Sequence, residues 1–144
     1  MEIMEKTRDT LEDIKENSVI TFRHGILGFE NCKRYVIVSL EEVWPFEWLL
    51  SVDNPAVGFP IINPLIFCPD YAPDISTEEL EDLEIDDPNE AEMFCIATIG
   101  NDPAKATANL KGPIIVNTAK NMAKQFVLGD DTYSIHYPIQ KADE

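Results

Sequence analysis

The groups in this chain most able to do chemistry are carboxylates. Between Glu78 and Glu92 the sequence reads EELEDLEIDDPNEAE, nine acids and no cation in fifteen residues. Paired carboxylates serve as general acid and base only where burial or a neighbour drives one pKa away from the other, which an exposed run does not provide. In a chain holding 27 acidic residues, adjacency follows from composition alone. Calcium would need a glycine-centred loop, and Pro88 interrupts that spacing. His24, His136, Cys32, Cys68 and Cys95 are scattered singly, whereas a structural zinc site pairs its ligands a few residues apart. In YSIHY, Tyr133, Ile135 and Tyr137 alternate with Ser134 and His136, which puts His136 on the wet face of a half-buried strand. No metal and no cofactor is expected.

The sequence contains no GxGxxG, GxxxxGK[ST], GxSxG or HExxH, so the usual phosphate cradle, nucleophile elbow and zinc helix are missing. The expectation is a non-enzyme. Its charge is sorted along the chain: residues 103–129 carry Lys105, Lys111, Lys120 and Lys124 and no acid. A formal net charge of −16 repels polyanions and raises the local concentration of cationic partners, an effect that weakens beyond about 8 Å at physiological salt. That predicts protein binding and no direct contact with nucleic acid. The same acidic run also reads as a solvated face that maintains solubility, or as a nucleic-acid mimic acting on some basic protein.

A chain of 144 residues buries roughly 70% of its unfolded surface, enough for one domain spanning residues 1–144 with its own core. Hydrophobic content of 44% beside 26% charged residues is that of an ordinary globular protein. The opening MEIMEKTRDTLEDIKEN has no apolar signal core, and no apolar run approaches a membrane span, so the expectation is a cytoplasmic protein with no membrane partner. Three cysteines without a CxxC pair fit reduced thiols.

The elements that must position these groups read as all-β. Short apolar runs, each closed by a turn-forming residue, predict strands at 19–22, 35–40, 46–51, 57–62, 93–99, 107–110, 114–117, 125–128 and 132–137, in a sandwich or small barrel. Asp53-Asn54-Pro55 and Gly129-Asp130-Asp131 predict hairpin loops, and Gly112-Pro113 a third turn. Pro60 cannot donate to a ladder, which places its strand at an edge or a bulge. One short acidic helix is predicted over 76–84, because Ser76 and Glu79 have capping-box spacing. Residues 118–124 read as a loop or single turn. Ile3, Thr7, Leu11 and Ile14 fit either a helix or an edge strand. Phe46 and Trp48 share a strand face opposite Glu47, a pattern that serves core packing first and an interface anchor second.

Four segments together resemble the flagellar assembly factor FliW family: HGILGFE at 24–30, PFEWLLS with DNPAVGFPIINP over 45–64, NLKGPIIVN at 109–117 and YSIHYPI at 133–139. The family commonly has Leu-Pro at the Ile26-Leu27 position and glutamine at Leu50. The resemblance implies a compact pseudo-barrel of short antiparallel strands, without catalytic activity, located in the cytoplasm. It also implies two alternative partners, flagellin and the CsrA-type translational repressor that such proteins antagonise. On this basis Glu78, Glu79, Glu81, Asp82, Asp86 and Asp87 are expected to supply steering and rim contacts. Anchoring contacts are expected from Phe46, Trp48, Phe59, Asn63, Pro64, Phe67 and Tyr71.

Overall fold

A computed structural model describes residues 19–39, 44–129 and 132–139. The two readings of the amino-terminal segment, Leu40 as a strand end, and Asp130 and Asp131 as loop residues lie outside the described residues. Among the described residues nine strands form one sheet: β1 Ile20–Phe22, β2 Arg34–Ser39, β3 Glu47–Ser51, β4 Gly58–Ile62, β5 Ala91–Thr98, β6 Thr107–Ala108, β7 Ile114–Asn117, β8 Met122–Gln125 and β9 Tyr137–Pro138. Helix α1 spans Thr77–Glu81.

Strands β1 to β4 form an antiparallel meander, β4 pairs with β5, β5 with β7, and β7 with β8. β8 returns to β1 and closes a seven-strand barrel. An odd number of strands cannot alternate direction all the way round a ring. One neighbouring pair must run parallel, and here it is β1 with β8, Thr21 opposite Met122 and Phe22 opposite Ala123. The fold is therefore the expected pseudo-barrel, antiparallel except at this seam. The last two residues of β5 turn outward to pair with β6, and β6 with β9, making a small wing beside the barrel.

The strand pattern fills the barrel from every side. Phe22, Tyr35, Leu49, Ile61, Phe94, Ile114, Val116 and Ala123 form one cluster with Ile26, which enters from the loop after β1. Phe22 meets Tyr35 edge-on at 5.1 Å between ring centroids. The Tyr35 hydroxyl is buried without a partner, and burial, with Cys32 and Asp53 adding, pushes its pKa up to about 12. A second cluster lies between the barrel and the wing, where Ile62, Tyr71, Cys95, Ala97, Ala108 and Leu110 are buried.

Pro60 sits where the ladder can spare its donor. The Ser51 amide donates to the Val57 carbonyl at 3.1 Å, so by antiparallel alternation Leu49 with Phe59 and Glu47 with Ile61 are bonded pairs. Trp48 with Pro60 is then a non-bonded pair. The β4–β5 pairing covers Ile61 and Ile62 and goes no further, leaving the Gly58–Pro60 half of β4 as an open edge.

The hairpin across Asp53-Asn54-Pro55 is present as β3–β4. Two expectations are corrected. The strand placed at 125–128 runs instead over Met122–Gln125, because Asn121 takes a left-handed φ of 53° and reverses the chain within the turn after β7. Only residues 118–121 are the expected turn. The strand placed at 132–137 is reduced to Tyr137–Pro138, and it pairs with β6 rather than forming a hairpin across Gly129. That pairing is between segments far apart in sequence, which local punctuation does not encode.

The Tyr71 hydroxyl donates to the Leu110 carbonyl at 2.6 Å and ties the loop after β4 to the root of the wing. Tyr71→Phe leaves that carbonyl buried and unmatched, so urea unfolding should show a loss of about 1–3 kcal/mol. A loss below about 0.5 kcal/mol, the scale of an ordinary surface change, would mean the bond is not holding the wing.

Candidate functional site

The acidic segment is built from its cap upward. Ser76 Oγ accepts from the Glu79 amide at 3.2 Å, satisfying one of the open amides at the start of α1, and Glu78 and Glu79 lie near the positive end of its dipole. The apolar positions point inward: Leu83 is buried against Ile115 and Phe126, with Ile75, Leu80 and Ile85 packed around them. The segment therefore lies on the outer flank of β7 and the chain leaving β8.

Past α1 the backbone makes a sharp reversal at Glu84, whose φ is 54°. Asn117, buried at the end of β7, holds that reversal. Its Nδ2 donates to the carbonyls of Leu83 at 2.7 Å and Glu84 at 3.2 Å, while its Oδ1 accepts from the amides of Ala119 and Lys120. Thr118 completes the attachment, with both its amide and its Oγ1 donating to the Glu90 carbonyl.

Folding brings the acidic and basic stretches face to face. Lys124 Nζ lies 3.1 Å from Asp82, Lys120 Nζ lies 3.4 Å from Glu84 and 3.6 Å from Asp86, and Arg23 lies 3.7 Å from Glu84. The hydrogen bond from Lys124 holds the Asp82 carboxyl below its usual range, and the one to Glu84 raises Lys120. The expected steering residues thus divide. Asp82 and Asp86 face cations of their own chain, whereas Glu78, Glu79, Glu81 and Asp87 are exposed and pair with no cation among the described residues.

The expected anchoring residues are not gathered on one surface. Phe46 is half-buried against the wing cluster. Trp48 is half-buried on the outer face of β3 beside Val36, Val38 and Leu50. Phe59 points into one end of the barrel, 5.1 Å from Phe29 in an edge-on contact. Asn63 is exposed and caps the turn Pro64–Ile66, its Oδ1 accepting from the Leu65 amide at 2.9 Å. Phe67 is half-buried and lies 5.8 Å from Tyr137. Pro64 and Tyr71 are buried, so neither offers an exposed apolar surface. The apolar groups that are exposed near them are Trp44, Leu65 and Ile66. Trp44 precedes β3 and lies outside its alternation, which is the signal that sets it apart from a core tryptophan.

Cys32 and Cys95 are buried and Cys68 is half-buried, all as free thiols. Burial pushes the Cys95 thiol up to about 12, away from reactivity. His24 and His136 are exposed, and among the described residues no three His, Cys, Asp or Glu groups are placed to hold a metal ion. The cleft between β1, β8 and Asp82 has a volume of about 30 Å³, room for about one water.

The fold and its surface define a small filled β-barrel with one wing and a charged flank fixed to the sheet by Asn117 and Thr118. The FliW protein family model matches residues 3–139. A flagellar assembly factor FliW from Syntrophus aciditrophicus is 40% identical over 138 residues, covering 96% of this chain and 87% of that protein. One from Caldanaerobacter subterraneus is 42% identical over 125 residues, covering 86% and 83%. A crystal structure of the flagellar assembly factor FliW superposes with a TM-score of 0.83 at 33% identity, covering 91% of this chain and 92% of that one. The chain belongs to the FliW family.

Asn117→Ala removes four hydrogen bonds and leaves the Leu83 carbonyl without its donor. Stability should fall by about 1–3 kcal/mol, and limited proteolysis should cut first within 82–90. Cleavage spread evenly over the chain would show that the amide is not what fixes the acidic segment.

Proposed function

We propose that this protein is a cytoplasmic flagellar assembly factor that binds flagellin and, when free of it, binds and antagonises a CsrA-type translational repressor, so coupling flagellin synthesis to export. Its action is that of a competitor for protein partners rather than of an enzyme, and it contacts neither nucleic acid nor membrane directly. The observation that carries the reading is the flank of carboxylates, Glu78, Glu79, Glu81 and Asp87, that face no cation among the described residues, on a segment attached to a FliW-family barrel. A repressor that grips RNA phosphates is basic, and a fixed acidic flank is complementary to it. Membership of the family supports the flagellar role, and no helix among the described residues is long and apolar enough to cross a membrane.

The combined variant Glu78→Gln, Glu79→Gln and Glu81→Gln spares Asp82 and Asp86, which already face Lys124 and Lys120. Stopped-flow association with purified repressor should slow roughly tenfold at low salt and converge with the parent at high salt, the dissociation rate changing little. An unchanged rate at low salt would remove this flank from the encounter. Calorimetry of the parent protein against purified flagellin and purified repressor tests the two partners themselves. Absence of heat with either at micromolar concentration would end that half of the reading.

A further inference from the structure

The loop that leads into α1 faces the chain leaving β8 across a cleft of about 310 Å³, lined by Ala72, Asp74, Leu128, Gly129, Thr132 and Tyr133. Residues 132–136 run here as a loop in place of the expected strand, and Tyr133 is turned toward Ala72. The walls are tied to one another. The Tyr133 hydroxyl accepts from the Ala72 amide at 3.2 Å, and the Tyr133 ring meets Tyr71 edge-on at 4.7 Å between centroids. The Leu110 amide donates to the Ser134 carbonyl at 3.0 Å, and the Leu128 amide to the Lys111 carbonyl at 2.9 Å.

Asp74 is the one charged residue among those that line the cleft, and Lys111 is not one of them. Asp53, Asp82 and Asp86 each meet a cation of their own chain, whereas Asp74 is exposed and faces no cation among the described residues. Beside its carboxylate stand the half-buried ring of Tyr133 and the buried side chain of Leu128. A guanidinium suits this combination. Its planar fork gives two N–H donors to a carboxylate, its flat face lies against an aromatic ring, and its aliphatic stem covers an apolar wall. An ammonium would bring the charge without the fork or the stacking face.

We infer that this cleft takes an arginine side chain of a partner protein, the guanidinium meeting Asp74 and lying against Tyr133. Asp74 stands two residues before Ser76, the cap of α1, so the cleft adjoins the flank that carries Glu78, Glu79 and Glu81. The inference deepens the proposed function and rests on its reading that a basic protein docks there. Exposed carboxylates steer such a partner, and a walled cleft supplies the anchor that they lack. Walls already bonded to one another favour binding, because little order remains to be lost.

The test is a nitrogen-15 NMR titration of the full chain, at about 0.15 M salt so that long-range attraction is screened. The probes are three end-blocked peptides, glycine–arginine–glycine and its lysine and citrulline counterparts. The arginine peptide should shift the amides of Ala72, Asp74, Gly129, Thr132 and Tyr133 in a saturable way, with the lysine peptide several-fold weaker and the uncharged citrulline peptide without effect. Asp74→Asn should weaken the arginine peptide by about tenfold with the melting temperature unchanged, whereas Glu78→Gln, Glu79→Gln and Glu81→Gln together should change it by less than about twofold. Three results would overturn the inference: no saturable shift at these amides, equal binding of the lysine or citrulline peptide there, or affinity indifferent to Asp74→Asn. Its failure is distinguishable from that of the proposed function. Saturable filling by the arginine peptide, beside an absence of heat with the repressor, would uphold the cleft and end the repressor reading, and the opposite pair of results would end the cleft alone.

Discussion

The closure of β1 onto β8 is the constraint on which the rest of the molecule depends. Seven strands admit one parallel pair, and placing it between the first described strand and the eighth means that the ring closes only when both ends of the barrel sequence meet. Between them, the local β1–β4 meander and the β7–β8 hairpin are joined by the longer-range β4–β5 and β5–β7 pairings. The Thr21 amide donating to the Asn121 carbonyl at 2.9 Å joins the seam to the same turn that carries the acidic attachment. Barrel closure and flank attachment are therefore mechanically continuous through residues 117–123.

Nine acids in fifteen residues repel one another, yet the segment is folded down on the sheet. Magnitudes decide which force achieves this. Exposed ion pairs add little each and are screened by salt. Burying a side chain such as Leu83 contributes about 1.5–3 kcal/mol, and the Asn117 carboxamide satisfies the buried Leu83 carbonyl. Apolar packing and amide bonds thus hold the segment, and the lysine contacts set which carboxylates are neutralised. Asp82, Glu84 and Asp86 are matched, and Glu78, Glu79, Glu81 and Asp87 face no cation among the described residues. A charged surface held this way keeps its geometry when salt weakens its field.

Much of the architecture was legible in the sequence, for identifiable reasons. The meander could be read because β2, β3 and β4 each carry branched or aromatic residues and end at Asp53-Asn54-Pro55 or similar punctuation. The helix could be read because its cap is local: Ser76 and Glu79 lie three residues apart. The wing could not, since β9 pairs with β6 across some thirty positions and Pro138 reads as a strand breaker until its edge location is known. Residues 118–128 were displaced for a related reason. A left-handed Asn121 moves the strand start by three residues, and nothing local distinguishes it from a coil asparagine.

The surface was less legible than the fold because burial is a property of the closed barrel. Tyr71, Phe67 and Phe59 look alike as aromatic residues in one loop-rich stretch, but Tyr71 belongs to the wing cluster, Phe67 faces Tyr137, and Phe59 packs against Phe29 and Tyr35 at the barrel interior. The sorting of charge was visible in the chain, whereas its partial neutralisation was not, because Lys120 and Lys124 reach the acids only through the β7–β8 reversal. The filled interior adds a last consequence. With Phe22, Tyr35, Leu49 and Ile26 packed together inside the ring, the charged groups of the acidic segment lie on its outer surface, where the packing beneath them fixes their positions.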